Sequence, residues 1–324
     1  MNSITLPRLA FAHLPTAVEP MPRLSAHLGG AHLWVKRDDQ TGIAFGGNKT
    51  RKLEFLLAEA QAHGARSLIT WGAAQSNHCR QTAAAAARNG LGCQVVLRGG
   101  PTEPVTGNVL LDQLLGAELI WAGERDPGEV AREVFDRAWE QGRRPYMIPF
   151  GGSSPTGAAA YAAAIGEFLN QGVSLDRIVL ASASGGTQSG MLVGARMYGF
   201  EGRITGISVD QPASTLQQLI ASLATQTASL LHQDATFEPA DVDVNDRFLG
   251  GGYAVMGELE RGAMRTFARL EGLILDPVYT GRAAGGLIEL LRDGDIDRDE
   301  RVLFWHTGGT PAVFAYAEQL KIGA

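Results

Sequence analysis

From residue 67 onward the chain repeats one unit: a short apolar run, a turn rich in glycine or small polar residues, then a segment of helical period. Residues 67–71, 94–97, 118–121 and 146–149 read as strands, with helices predicted over 77–89, 107–115 and 127–141. Strands separated by helices are too far apart in the chain for tight hairpins, so they pair in parallel and the helices cover both faces. After a break near Gly151 a second set follows. Strands are predicted over 177–181, 204–209 and 302–305, and helices over 155–170, 187–198, 214–231, 256–271, 281–292 and 311–320. The pattern predicts an α/β fold of two lobes, each an open, mostly parallel twisted sheet flanked by helices. No repeat of solenoid period is present.

Glycine clusters at 46–47, 151–152, 185–186, 250–252, 285–286 and 308–309 fall mostly between elements, often just after a strand. Loops at the carboxyl ends of parallel strands line the ligand crevice of such sheets, so the clusters mark where to look for a site. The N-terminal residues 1–30 are punctuated by Pro7, Pro15, Pro20 and Pro22 and read as an irregular arm, followed by a short strand over 33–36.

Composition narrows the class. A chain of 324 residues with 45% hydrophobic content can bury two cores, and its net charge of -6 offers no basic field to nucleic acid or an acidic membrane. Cys79 and Cys93 form neither a metal-ligand pattern nor a disulfide framework. No signal-like N-terminus or apolar run of about 18 residues appears, and a cytoplasmic enzyme is expected.

There are only four lysines: Lys36, Lys49, Lys52 and Lys321. Lys49 follows the turn Gly46-Gly47-Asn48 and precedes an amphipathic helix predicted over 52–63. A lysine held at such a bend can be desolvated, lose its proton and attack a carbonyl. Alone, it reads first as the basic turn of a solvated surface helix. Four other stretches, the last of them Trp305-His306-Thr307-Gly308-Gly309-Thr310, shift the balance. In Gly72-Ala73-Ala74-Gln75-Ser76-Asn77-His78, Ser76 or Asn77 can cap a helix whose free amides suit a carboxylate. Ser182-Ala183-Ser184-Gly185-Gly186-Thr187-Gln188 leads a buried strand into a helix and suits one phosphate, since it is neither a Walker nor a dinucleotide motif. Tyr279, in Asp276-Pro277-Val278-Tyr279-Thr280-Gly281, can stack on an aromatic ring, and the hydroxyls of Thr280 and Thr307 can meet a ring nitrogen. A lysine, a phosphate cup, a carboxylate cup and a stacking tyrosine are together what pyridoxal 5'-phosphate requires.

The segments Lys36-Arg37-Asp38-Asp39, Gly46 to Lys52, Gln75 to His78, Ser184 to Thr187, Asp276 to Gly281 and His306-Thr307-Gly308-Gly309 resemble the D-cysteine desulfhydrase and 1-aminocyclopropane-1-carboxylate deaminase family. These are fold-type-II, tryptophan-synthase-β-like pyridoxal-phosphate enzymes. The resemblance implies a large cofactor-binding domain of residues 1–50 and 152–324 around a small domain of 51–151, and a homodimer. It implies that Lys49 forms the Schiff base, with Asn48 beside it. Asn77 meets the phenolic oxygen of the ring and Ser184, Gly185, Gly186 and Thr187 hold the phosphate. Tyr279 lies against the ring, while Thr280 and Thr307 lie at its nitrogen. Ser76, Asn77 and His78 receive the substrate carboxylate, Ser76 as a possible proton shuttle, and Tyr253 matches an active-site tyrosine. The residues after it, Ala254-Val255-Met256, depart from the family's glycine-x-proline continuation.

Family members that open the cyclopropane ring typically carry a glutamate where this chain has Thr280. A carboxylate there stabilises a protonated ring nitrogen, whereas a hydroxyl only donates to a neutral one. The substitution favours prompt β-elimination over a long-lived carbanion. The expected activity is therefore a lyase reaction on a small amino acid, D-cysteine to pyruvate, ammonia and hydrogen sulfide, with Lys49 or Ser76 taking the Cα proton. L-Cysteate sulfo-lyase, cyclopropane deaminase and a non-enzymatic two-lobed binding protein are the alternatives.

Overall fold

A computed structural model describes residues 4–101 and 103–320; Lys321 lies outside them. In chain order the elements are β1 (Val18–Pro20), α1 (Pro22–His27), β2 (His32–Lys36), α2 (Asn48–Ala62), β3 (Ser67–Gly72), α3 (Asn77–Arg88), β4 (Gly92–Leu97), α4 (Gly107–Leu114), β5 (Glu118–Trp121), α5 (Pro127–Glu140) and β6 (Pro145–Met147). They continue as α6 (Pro155–Leu169), β7 (Arg177–Ser182), α7 (Gly186–Tyr198), β8 (Arg203–Ser208), α8 (Ala213–Leu230), β9 (Val244–Asn245), α9 (Glu258–Glu271), α10 (Thr280–Asp293), β10 (Arg301–Trp305), α11 (Ala312–Ala315) and α12 (Ala317–Leu320).

The strands form two sheets. One has the order β5-β4-β3-β6 and is parallel throughout; it is built entirely from residues 67–147. The other has the order β1-β2-β10-β7-β8-β9, with β2, β10, β7, β8 and β9 parallel. Local chemistry explains most helix starts. Ser76, Asp126 and Ser154 accept from the backbone N–H groups of Cys79, Glu129 and Gly157, and Pro127 and Pro155 occupy the first turns of their helices. Leu53, Leu56 and Leu57 of α2 pack with Leu68, Val95, Leu97 and Ile148 of the smaller sheet. Phe267 and Leu287, from α9 and α10, pack with Val179, Val302 and Phe304 of the larger one.

Several expectations need correction. Helix α2 begins at Asn48, four residues earlier than predicted, so Lys49 lies in its first turn. It is also no surface helix, since every residue from Thr50 through Ala58 is buried. Counting Arg51, Lys52 and Glu54 as a solvent face fails because each has an interior partner, and helical period alone cannot reveal that. The domain boundary expected at residue 51 falls inside this helix. The N-terminal arm contains β1, which pairs antiparallel with β2, Val18 opposite Lys36, because the short β1–α1–β2 link cannot make a parallel crossover. The closing helix over 311–320 is two short helices, α11 and α12. Among the described residues no helix is long and apolar enough to cross a membrane.

Candidate active site

One cavity gathers the segments that follow β3, β6, β7, β8 and β10, together with the first turn of α2. It is lined by Asn48, Lys49, Ser76, Asn77, His78, Phe150, Gly151, Ser182, Ser184, Gly185, Thr187, Asp210, Tyr253, Tyr279, Thr307 and Gly308, among others. Both sheets thus aim their strand ends at one place, as open parallel sheets do.

Gly47 opens α2 at φ 122° and ψ 170°, and a Cβ there would sit 2.7 Å from Gln81 Nε2. Gln81 Oε1 accepts from Thr50 N at 2.8 Å and from Thr50 Oγ1 at 3.0 Å, while Asn48 N donates to Thr307 O at 3.0 Å. These bonds fix the turn that carries Lys49. Lys49 Nζ donates to Gly151 O at 3.0 Å. Lys52 Nζ reaches the same carbonyl at 3.3 Å and Ser153 Oγ at 3.4 Å. Neither amine has a carboxylate partner among the described residues. Burial lowers the Lys49 ammonium to about 8. Burial, and then the charge of Lys49, push Lys52 well below the ordinary lysine range. A neutral amine is thus accessible near neutral pH, as a nucleophile or base requires.

The turn from β7 to α7 forms a cup beside these amines. Ser184 Oγ lies 2.8 Å from Ser153 Oγ, and Gly186 N donates to Ser153 Oγ at 3.2 Å and to Ser184 O at 3.0 Å. A Cβ on Gly186 would come within 2.6 Å of Ser153 Oγ and 2.9 Å of Lys52 Nζ. Asn48 Nδ2 donates to Thr187 Oγ1 at 3.0 Å. The first amides of α7 have no intrahelical acceptor and carry the positive end of the helix dipole.

On the opposite wall, Ser76 caps α3 by accepting from Cys79 N at 3.2 Å. Asn77 Oδ1 accepts from Asn108 Nδ2 at 3.0 Å and Arg80 Nη1 at 3.4 Å, so its amide nitrogen is turned outward as a donor. His78 Nε2 lies 2.8 Å from Thr70 Oγ1, and its Nδ1 is buried without a partner. Burial holds this imidazole well below its ordinary pKa, so it is neutral.

The third wall is a tyrosine pair. Tyr253 and Tyr279 share a hydroxyl–hydroxyl bond of 2.7 Å, with rings edge to face at 6.1 Å. Burial raises Tyr253 to about 12, Tyr279 offsetting part of the rise, and pushes Tyr279 higher still. Both keep their protons at neutral pH. Tyr279 is fixed by Asp276, whose Oδ2 accepts from Val278 N and Tyr279 N at 3.1 Å each.

Thr280 departs from its expected place. It is absent from the cavity wall, and its hydroxyl donates to Asp276 Oδ1 at 2.7 Å while accepting from Asp276 N at 2.7 Å. Its proton is spent inside the Asp276 turn, which leaves Thr307 as the hydroxyl of that pair facing the cavity. Gly186 likewise lies behind the wall, where it supports the cup. The other site residues named from sequence are brought together. Sequence reasoning missed Lys52, Ser153 and Asp210. Only Lys52 left a signal, one helical turn beyond Lys49 on the same face.

The cavity fits pyridoxal phosphate on its own atoms. Ser182 Oγ and His78 Nδ1 are buried polar atoms with no partner among the described residues, and both belong to wall residues. Such orphans are costly unless a ligand or water meets them. The amide cup, the nearby Lys52 amine and the space kept by Gly186 suit a dianionic phosphate.

Comparison with known proteins agrees. The model of the family described as pyridoxal-phosphate dependent enzyme matches residues 9–308. A D-cysteine desulfhydrase of Klebsiella pneumoniae (strain 342) is 39% identical, over 98% of this chain and 99% of that protein. A putative 1-aminocyclopropane-1-carboxylate deaminase of Pyrococcus abyssi (strain GE5 / Orsay) is 38% identical, over 97% and 95%. The crystal structure of an ACC deaminase homologue superposes with a TM-score of 0.91 at 37% identity, covering 98% of this chain and 96% of that one.

Proposed function

The chain belongs to the pyridoxal-phosphate dependent enzymes, and from that premise we propose that it eliminates the β-substituent of a small amino acid, D-cysteine above others, giving pyruvate, ammonia and hydrogen sulfide. The observation that carries this reading is Lys49. It is a poorly solvated amine with a pKa lowered to about 8, between an amide cup and a helix N-terminus in one cavity.

When bound, the cofactor supplies the electron-withdrawing framework that acidifies the Cα–H bond of an amino acid. Lys49 is its attachment point. Ser182, Ser184, Gly185, Thr187 and the α7 amides would hold its phosphate, with the Lys52 amine nearby. The Asn77 amide, the Thr307 hydroxyl and the Tyr279 ring, all on the cavity wall, would hold its ring. Ser76 and the free amides of α3 orient the substrate carboxylate. Lys49 in its neutral form takes the Cα proton, and Ser76 is the alternative carrier. Tyr253, protonated up to about pH 12 and bonded to Tyr279, is a proton donor on the cavity wall. Thr307 would offer the ring nitrogen a hydroxyl rather than a carboxylate, which would favour loss of the β-substituent over a long-lived carbanion. The homodimer and cytoplasmic location implied by the resemblance belong to the same proposal.

The test is a panel of both enantiomers of cysteine, cysteate, serine and chloroalanine, with the cyclopropane amino acid, followed by pyruvate release. D-Cysteine is expected to yield equimolar sulfide and pyruvate. Efficient cyclopropane opening would overturn the argument from Thr307. Turnover of L-cysteate with D-cysteine inert would keep the elimination and change the substrate. No turnover and no bound-cofactor absorbance would favour a binding protein.

A further inference from the structure

We propose that Asp210 selects the charge of the side chain that the cavity admits, disfavouring amino acids whose β-substituent is an anion relative to neutral ones. This deepens the reading above and rests on it, since it takes the cavity to bind a small amino acid.

Asp210 ends the segment leaving β8 and lines the cavity together with Lys49, Ser76 and the Tyr253–Tyr279 pair. Its carboxylate makes no hydrogen bond or ion pair with any described residue. Burial beside the tyrosines raises its pKa somewhat, with the Arg282 guanidinium opposing. The residue is nonetheless exposed at one side, which favours its ionised form.

Arg282 is the cation that would be expected to neutralise it, and Arg282 is committed elsewhere. Its Nε donates to the buried Glu260 carboxylate at 2.7 Å. Its Nη1 donates to Val209 O at 2.6 Å and Gly252 O at 3.1 Å, and its Nη2 to Val255 O at 3.0 Å. Glu260 already balances the charge of Arg282. The same bonds fasten the backbone just before Asp210 and the loop carrying Tyr253, so the carboxylate is held in place while remaining uncompensated. The cavity therefore has a cationic side, with the Lys49 amine and the positive helix ends of α3 and α7, and an anionic one.

A cofactor phosphate and a substrate α-carboxylate satisfy the cationic side. A second substrate anion would then meet Asp210 across a partly desolvated gap, where like charges repel far more strongly than in water. A thiol, hydroxyl or halide carries no such penalty. Of the substrates considered above, the sulfonate of cysteate is disfavoured and cysteine is not.

The experiment uses cofactor-loaded enzyme and titrates it with serine and with cysteate, in both enantiomers, reading dissociation constants from the change in cofactor absorbance. The kcat/KM ratio for cysteate against cysteine is measured alongside. In Asp210→Asn the preference for serine over cysteate should shrink about ten-fold, and Asp210→Lys should move it further the same way. Glu201→Gln makes the same change in net charge at an exposed position and should leave the ratio alone. A ratio unmoved by both Asp210 variants, or moved equally by Glu201→Gln, overturns the inference while the amino-acid reading stands. Wild type that binds neither ligand overturns that reading, and the inference with it.

Discussion

Helix α2 faces two environments that treat buried charge in opposite ways. On one face, Arg51 enters a network in which nearly every polar atom is answered. Asp38 accepts from Arg51 Nε and Nη2 and from Thr16 Oγ1 at 2.8 Å each, from Tyr161 OH at 2.6 Å and from Trp305 Nε1 at 2.8 Å. Glu167 takes the rest of Arg51 and, with Gln171 Oε1, the Lys36 amine at 2.7 Å. Burial alone would raise the Asp38 carboxyl, but Arg51 outweighs it and holds it below the ordinary range. On the other face, Lys49 and Lys52 share the Gly151 carbonyl, Lys52 alone reaches the Ser153 hydroxyl, and neither has a carboxylate partner among the described residues. The difference separates two uses of a buried cation. A saturated one locks β2, α2, α6 and β10 together, whereas an unsaturated one stays deprotonable and open to a ligand.

The comparison breaks most readily at Lys49. Lys49→Ala should lower turnover by at least about a thousand-fold and abolish covalent capture of the cofactor, with no loss of apoprotein stability. Borohydride reduction of wild type followed by peptide mapping should mark Lys49, and a label on Lys36 or Lys52 would move the reactive amine elsewhere. On the saturated side, Asp38→Ala strands Arg51 in the interior. Urea unfolding should show a cost of about 3–5 kcal/mol. A small cost there would mean that the network is no tighter than the cavity.

A weaker effect is expected at the cup. Gly186→Val places side-chain atoms where a Cβ alone would already lie 2.6 Å from Ser153 Oγ. Lost charge-assisted hydrogen bonds, worth about 1.5–3 kcal/mol each, should weaken cofactor affinity ten-fold or more in an equilibrium titration. Unchanged affinity would separate the phosphate site from this turn. The smallest effect is the pH dependence of apoprotein stability. Lys49 falls from 10.5 unfolded to about 8 folded, so between those values the unfolded chain binds the extra proton. Stability from this pair should therefore rise with pH across that window and be lost as pH falls through it. Lys52→Met should flatten the slope in denaturant titrations at several pH values. A slope of opposite sign would show that both amines are stabilised as cations.

Much of this molecule was legible as local pattern. The strand-to-helix order, the Ser76 cap and the small residues from Ser182 to Thr187 follow from side-chain period and turn chemistry, which act over a few residues. They were enough to point to one crevice and to Lys49. Other features depended on partners far away in the chain. Arg51 and Lys52 are adjacent, yet one meets Asp38 and Glu167 while the other turns toward Gly151. Thr280 looked like a ligand-facing hydroxyl until Asp276 took its proton. Asp210 had no motif at all, and only the commitment of Arg282 to Glu260 leaves it uncompensated. Sequence by itself determined the fold class and the order of the loops and singled out Lys49, because propensity and spacing are local. Tertiary structure alone decided which buried charges are paired and which stay free, because burial and pairing are long-range and fix the electrostatics of the site.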